Sequence, residues 1–378
     1  MKVEESIKSD SKATKILSEH KDVILLFLAS RLIFIPLIFL AGNTYAGLIN
    51  CFDGELYITI ARDGYGDDAL KAFFPMIPLL IKFIGIYGTV VINNICFLVS
   101  LFILKALIGK SRNKLLILML TVFSPISFFS MTIYTESIFF LLTIASYYLY
   151  TKKRYPILMG VLIGLSVFTR NTGSIVFFAI FIGMCVDWRK KLYKFTDILK
   201  AYIPATLISL IYPAFLQIRY GNWKYFMDVQ GEHWSKVSSN FIKTLYIQFQ
   251  VIFTDTYKYD GMDFTFLNKL NEIYTLAITA VFIYFIAWEV KKIISLRKDA
   301  DIVSVAVLIM TLLIISTTIR DPEYNAPTVS FFRYYLVMFP AYTLLRDKNE
   351  KFVLGLMAAG TFMSIFASFL FAKGVYFF

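Results

Sequence analysis

Apolar residues run along this chain in long blocks rather than in stripes. Blocks near 23–41, 89–108, 115–131, 137–150, 156–168, 174–186, 198–217, 273–288, 302–318, 329–345 and 352–371 hold almost no charge, and polar stretches separate them. An uncharged run of about 17–25 residues is what a helix needs to cross the hydrocarbon of a bilayer. The pattern therefore predicts an all-α polytopic membrane protein with about eleven transmembrane helices. The shorter blocks are expected inside the bundle or against re-entrant turns. The run 241–253 is also apolar and is read as an interfacial segment.

Composition agrees with the pattern. Hydrophobic residues make up 58% of the 378 and charged residues only 17%, against about 25% charged in an average soluble domain. One soluble core of this size could not hide so much apolar surface.

Charge orients the threading. Lys110/Arg112/Lys114, Lys152/Lys153/Arg154, Arg189/Lys190/Lys191/Lys194, Lys291/Lys292/Arg297/Lys298 and Arg346/Lys348/Lys351 follow alternate blocks. They fall on one side, together with the lysine-rich tail 1–22, and the positive-inside rule makes that side cytoplasmic. The net charge of +12 then points to anionic membrane lipids and not to nucleic acid. Cys51, Cys96 and Cys185 offer no disulfide framework and no CxxC metal motif. The start, with Glu4, Glu5 and Asp10 among lysines, lacks the short apolar core of a cleaved signal peptide.

The other side receives 43–88, 132–136, 170–173, 219–272 and 320–328. In the first of these loops, Leu56 and Ile60, and Tyr57 and Ala61, recur at helical spacing before Gly64. That predicts a short amphipathic helix along the interface. Asp53 stands just before it, where a carboxylate can serve as an N-cap. Glu136 opens a helix, where an acidic residue favours the dipole or binds a hydroxyl. Arg170 and Arg333 lie at outer ends of apolar blocks, where a cation either snorkels to headgroups or binds a phosphate. His233 and Trp234 read as an interfacial aromatic pair or as sugar contacts. Arg31, inside the first block, calls for a structural partner. Asp255, Asp260 and Asp263 do not match a calcium loop and read as a solvated loop without metal.

The residues around Asp53 carry a resemblance. Phe52-Asp53, Tyr57, Ile60-Ala61, Gly64-Tyr65, then Phe73-Phe74-Pro75 and Pro78, are similar to the Trp-Asp-x-x-x-Tyr-x-x-Ile-Ala-x-x-Gly-Tyr and Phe-Phe-Pro-x-x-Pro segments of the PIG-V family of GPI mannosyltransferases. Phe52 replaces the family's Trp, which removes an indole donor. Ser124-Pro125 with Phe129, Tyr134-Thr135-Glu136-Ser137, Arg170-Asn171-Thr172-Gly173, Gln230 with Trp234, and Arg333 before Phe339-Pro340 resemble later family motifs in the same order.

The resemblance implies a GT-C-type bundle with interfacial helices in the first external loop. It implies one catalytic domain over 23–372, between the tail 1–22 and a short tail 373–378. The activity it implies is transfer of mannose, in α linkage and with inversion, from a polyprenyl-phosphate sugar to a glycolipid or lipid-linked glycan on the non-cytoplasmic face. That face belongs to the cell membrane in a prokaryote and to the ER membrane in a eukaryote. Asp53 is then the general base. Arg170, Arg333 and Asn171 bind the donor phosphate, and Glu136, Tyr57, His233 and Trp234 contact sugar or acceptor. A soluble nucleotide-sugar donor is not expected, because no glycine-rich phosphate loop is present. No metal or other cofactor is expected, since a monophosphate donor has no diphosphate to bridge. The main alternative is a transporter or flippase for lipid-linked sugars, which calls for internal repeats and midplane polar groups. The polar residues here gather at one face. A non-catalytic scaffold subunit is a second alternative, and it would not need the Asp53 carboxylate.

Overall fold

The computed structural model describes residues 19–253, 258–259, 262–296, 300–321 and 327–375. Most of the tail 1–22, the end of the tail 373–378, and Asp255 and Asp260 lie outside the described residues. The chain enters as α1 (Lys21–Leu40) and continues through α2 (Tyr45–Ile49) to α3 (Asp53–Asp63). A 3-10 turn (Asp68–Ala72) leads to α4 (Met76–Ile108), α5 (Lys114–Val122), a second 3-10 turn (Ser127–Met131) and α6 (Glu136–Lys152). Then follow α7 (Pro156–Thr169), α8 (Gly173–Arg189), α9 (Phe195–Ser209), α10 (Ile211–Tyr220) and α11 (Tyr225–Trp234). Strand β1 (Lys236–Ser238), α12 (Phe241–Phe253), the short hairpin β2 (Lys258–Tyr259) and β3 (Met262–Asp263), and α13 (Thr265–Ile294) come next. The chain closes with α14 (Ile302–Ile315), β4 (Thr318–Arg320), α15 (Phe331–Leu336), α16 (Pro340–Thr343) and α17 (Glu350–Ala372).

Among the described residues, five stretches are long and apolar enough to cross a membrane: α1, α4, the α9–α10 run, α13 and α17. Shorter apolar helices, α7 and α14 among them, pack between them. The chain is an all-α polytopic membrane protein. Outward-facing Leu32, Phe83, Ile218 and Phe362 on the long helices suit contact with lipid. Arg31 in α1 is satisfied by neutral acceptors: it donates to Asn94 Oδ1 at 3.0 Å and Ser130 Oγ at 2.6 Å, and its guanidinium lies over Phe27.

Two of the expected spans are not continuous helices. Over 115–131 the helix stops at Val122, and Pro125 precedes the 3-10 turn. Over 329–345 two short helices are separated before Pro340. Proline supplies no amide and clashes with the preceding turn, so it breaks a helix that neighbours do not force straight. Every residue from 120 to 140 is buried, as is 327–345 apart from Tyr334. Irregular backbone at membrane depth is tolerated where protein covers it. These segments form the inside of the bundle.

Close helix approach depends on small residues. A Cβ on Gly160 of α7 would stand 1.9 Å from the Ala201 carbonyl oxygen of α9, and one on Gly164 would stand 2.7 Å from Ile208 Cβ. Gly160-x-x-x-Gly164 thus meets Ala201 and Ala205 in the small-residue mode common between membrane helices.

The amphipathic helix expected after Asp53 is α3, with Tyr57 and Ile60 buried and Gly64 (φ 79°) ending it. The N-cap position belongs to Phe52, however, and Asp53 is the first helical residue. The Asp53 carboxylate caps nothing and is free to face another partner.

Candidate active site

Four charged side chains from four separate segments meet at the start of α3. Arg333 of α15 donates through Nη2 to Asp53 Oδ2 at 3.1 Å and through Nε to Glu136 Oε1 at 2.5 Å. Arg170, at the end of α7, donates through Nη1 to the same Glu136 oxygen at 2.7 Å. Glu136 is 1% exposed, Arg333 6% and Arg170 10%, whereas Asp53 is 20% exposed. Two carboxylates and two guanidiniums cancel formally, which is what allows such a cluster to be buried at all.

Aromatic rings complete the setting. The Arg333 guanidinium lies 4.9 Å from the Phe129 ring centre and 5.1 Å from that of Tyr134. Arg170 lies 4.9 Å from the Tyr334 ring centre. Such cation–π contacts hold a guanidinium in a site with little water. Tyr134 also fixes the approach of α3: its hydroxyl accepts from the Asp53 amide at 3.1 Å and donates to the Cys51 carbonyl at 3.0 Å. Gly54 permits the close approach of α3 to the end of α2, because a Cβ there would stand 2.0 Å from the Ile49 carbonyl oxygen.

The irregular segments are anchored by buried amides and hydroxyls. Asn93 of α4 donates to the carbonyls of Thr132 at 2.7 Å and Tyr134 at 2.9 Å, which holds the turn that presents Glu136. Glu272 of α13 accepts from the Thr328 amide at 3.1 Å and the Thr328 hydroxyl at 2.5 Å. That fixes the stretch leading into α15. Two non-glycine residues in the positive-φ region flank the cluster: Phe52 (φ 50°), just before Asp53, and Ser330 (φ 73°), at the N-cap of α15. Backbone of this kind costs on the order of 1–3 kcal/mol and persists where the surroundings over-determine it.

Tyr57 is buried behind Asp53, with its ring edge-on to Phe73 at 5.3 Å and to Tyr134 at 6.4 Å. Burial, and then the nearby Asp53 carboxylate, push its phenol well above the usual range, so the hydroxyl remains a donor. The remaining residues singled out from the sequence stand apart. Asn171 is exposed, and its side chain joins none of the four charged groups. The amides of Gly173 and Ser174 are taken by the Arg170 and Asn171 carbonyls, so the turn does not offer them to an anion. His233 is exposed. Trp234 braces α11 against the first loop, donating from Nε1 to the Ala69 carbonyl at 3.2 Å and packing on Phe73 at 5.5 Å. Asn93 and Glu272 are parts of the site that sequence reasoning missed, and Phe129 and Tyr334 stood in motifs of the resemblance without a role of their own. A polar residue inside the block 89–108 is the signal that could have found Asn93, whereas Glu272 stands just outside the block 273–288. Among the described residues, no three His, Cys, Asp or Glu side chains converge as a metal centre.

No protein-family profile and no curated sequence matches the chain. Among solved structures, its fold is similar to that of the Archaeoglobus fulgidus oligosaccharyltransferase tethered by a disulfide bond to an acceptor peptide containing the NVT sequon. The identity is 12% and the TM-score 0.45, over 94% of this chain and 55% of that one. The chain thus spans about half the length of the structure it resembles. A likeness of this degree says nothing about activity, and the functional reading rests on the side chains.

Proposed function

We propose that the protein is an inverting glycosyltransferase of the GT-C type. In this reading it moves a sugar, mannose by resemblance, from a polyprenyl-phosphate carrier to a hydroxyl of a glycolipid or lipid-linked glycan. The observation that carries the reading is the unequal placement of the two carboxylates in the cluster. Glu136 is sealed and held by both arginines, while Asp53 is the exposed one. Arg333 engages only Oδ2 of Asp53, and among the described residues Oδ1 accepts no hydrogen bond. Asp53 Oδ1 is therefore the oxygen available to a substrate hydroxyl.

The chemistry is one displacement. The acceptor oxygen bonds to the anomeric carbon as its proton passes to Asp53 Oδ1. The bond from that carbon to the phosphate oxygen breaks, and its electron pair leaves with the polyprenyl phosphate. A single in-line displacement inverts the anomeric centre and needs no covalent enzyme intermediate. Arg333 orients the base, and Glu136 with Arg170 holds Arg333 in place. The Tyr57 hydroxyl stands behind the base as a donor. No metal enters the step, so chelation by EDTA is expected to leave the rate unchanged. The distribution of positive loops supports a non-cytoplasmic position for this cluster.

The test is transfer of radiolabelled mannose from polyprenyl-phosphate mannose to a total lipid extract by purified protein, comparing wild type with Asp53→Asn. Transfer by wild type alone supports both donor class and base. Equal transfer by the variant removes Asp53 from the mechanism, and no transfer by either protein overturns the reading.

A further inference from the structure

Two cations outside the cluster face each other with no anion paired to either among the described residues. Lys236 of β1 and Arg320 of β4 are register partners on the antiparallel ladder. Directly opposed residues leave the same face of a ladder, and like charges so placed repel. None of the ion pairs among the described residues involves either side chain. Arg320 Nε is shielded from solvent and has no hydrogen-bond partner. Burial first, and the Arg320 guanidinium second, pull the Lys236 ammonium down to about 8. A buried donor without an acceptor is costly, and a second cation beside it adds to the cost. A bound anion would relieve both.

The ladder is tied to both sides of the candidate active site. Lys236 follows Trp234 closely, and Trp234 packs on Phe73, which packs on Tyr57. The Arg320 amide donates to the Pro327 carbonyl at 2.9 Å, and the chain then passes Thr328 and enters α15 with Arg333. Charge supplies the remaining argument. Arg170 and Arg333 are already committed to Glu136 and Asp53, so the cluster has no net positive charge left for a phosphate. Transfer of the sugar converts a phosphodiester with one negative charge into a monoester carrying close to two at neutral pH. That added charge needs cations of its own.

We propose that Lys236 and Arg320 bind the phosphate of the polyprenyl carrier and stabilise it as it departs. The inference rests on the transferase reading above. Arg320 offers a fork that matches two phosphate oxygens, and Lys236 a point charge beside it. The reassignment also explains why the two arginines first expected to hold the phosphate are occupied.

The experiment measures binding of a polyprenyl monophosphate to the full chain in nanodiscs of neutral lipid, for wild type, Arg320→Gln, Lys236→Gln and Arg320→Lys. Loss of one charge-assisted contact is expected to weaken binding about tenfold in each Gln variant. Arg320→Lys should lose less, and binding of uncharged polyprenol should not change in any variant. Phosphatidylglycerol and inorganic phosphate are the competing probes. Displacement of the polyprenyl phosphate by phosphatidylglycerol at equal concentration would make this a general headgroup site and overturn the proposal. Inorganic phosphate competing as well as the lipid would make it a free-phosphate site, with the same consequence. Unchanged affinity in both Gln variants, with melting unchanged, also overturns it. If either Gln variant fails to fold, the other two variants decide. Phosphate binding that depends on Lys236 and Arg320 in a protein without transfer activity would uphold the site and remove the enzyme. Transfer whose donor KM ignores both residues would do the reverse.

Discussion

Helix α1 and the segment 327–345 are both apolar, yet they differ in burial and in continuity. In α1 only Val23, Ser30, Phe34 and Ile38 are buried, and the helix runs unbroken through Pro36. The segment 327–345 is buried almost throughout, is broken into two short helices, and starts α15 from a residue at φ 73°. A helix facing lipid must satisfy all its backbone groups internally, so it has to remain continuous. A segment wrapped by protein can borrow partners, as Thr328 does from Glu272 and as the 132–134 turn does from Asn93. Irregular backbone can aim a side chain where a regular helix cannot, and Arg333 and Glu136 come from the two broken regions. The lipid-facing helices act as the wall, and the buried broken segments bring Arg333 and Glu136 to Asp53 of α3.

This division can be tested from both sides. The largest effect is expected at Asp53: replacement by Asn should lower kcat by about 10²–10⁴-fold, the usual contribution of a general base, while lowering the unfolding midpoint in detergent less than loss of Glu136 does, because Asp53 is the more exposed carboxylate and Arg333 keeps Glu136. Retention of more than half the activity would exclude the base role. Glu136→Gln is expected to cost stability, because it leaves Arg170 without its carboxylate and Arg333 with Asp53 alone in a buried site. Breaking a buried ion pair from one side costs about 3–5 kcal/mol, measurable as a lowered unfolding midpoint. An unshifted midpoint would show that the cluster does not hold the bundle together. Tyr134→Phe removes one donor and one acceptor between α3 and the 132–134 turn and should cost about 1–3 kcal/mol. Its signature would be a KM or kcat change in step with the midpoint shift. At the bottom of the scale, Leu32→Ala on the outer face of α1, 77% exposed, should stay within about 0.5 kcal/mol. A larger loss there would mean that α1 is covered by a partner.

Much of the architecture was legible along the chain. Nine of the eleven apolar blocks correspond to helices or helix runs, because a lipid-crossing helix needs an apolar length that composition reveals directly. The blocks 115–131 and 329–345 were not separable from these, since hydropathy cannot distinguish a residue that faces lipid from one that faces protein. Pro125 and Pro340 marked the breaks, but proline is also tolerated within α1 and α9, so its presence alone did not decide. In the site, Asp53 stood out through its neighbours in the chain. Its partner Arg333 lies 280 residues away, and nothing local announces that pair.

The amino-acid sequence by itself determined that the chain lives in a bilayer, roughly where it crosses, and which acidic and basic residues end up near one face. These follow from transfer free energies that act on each residue independently. Tertiary structure alone decided that Asp53, Glu136, Arg170 and Arg333 form one neutral network, that Asp53 is its accessible member, and that Lys236 and Arg320 stand opposed with no anion paired to them among the described residues. Those outcomes depend on distances between charges in a low-dielectric interior. Such distances are set by packing among segments remote in the chain, which no local pattern encodes.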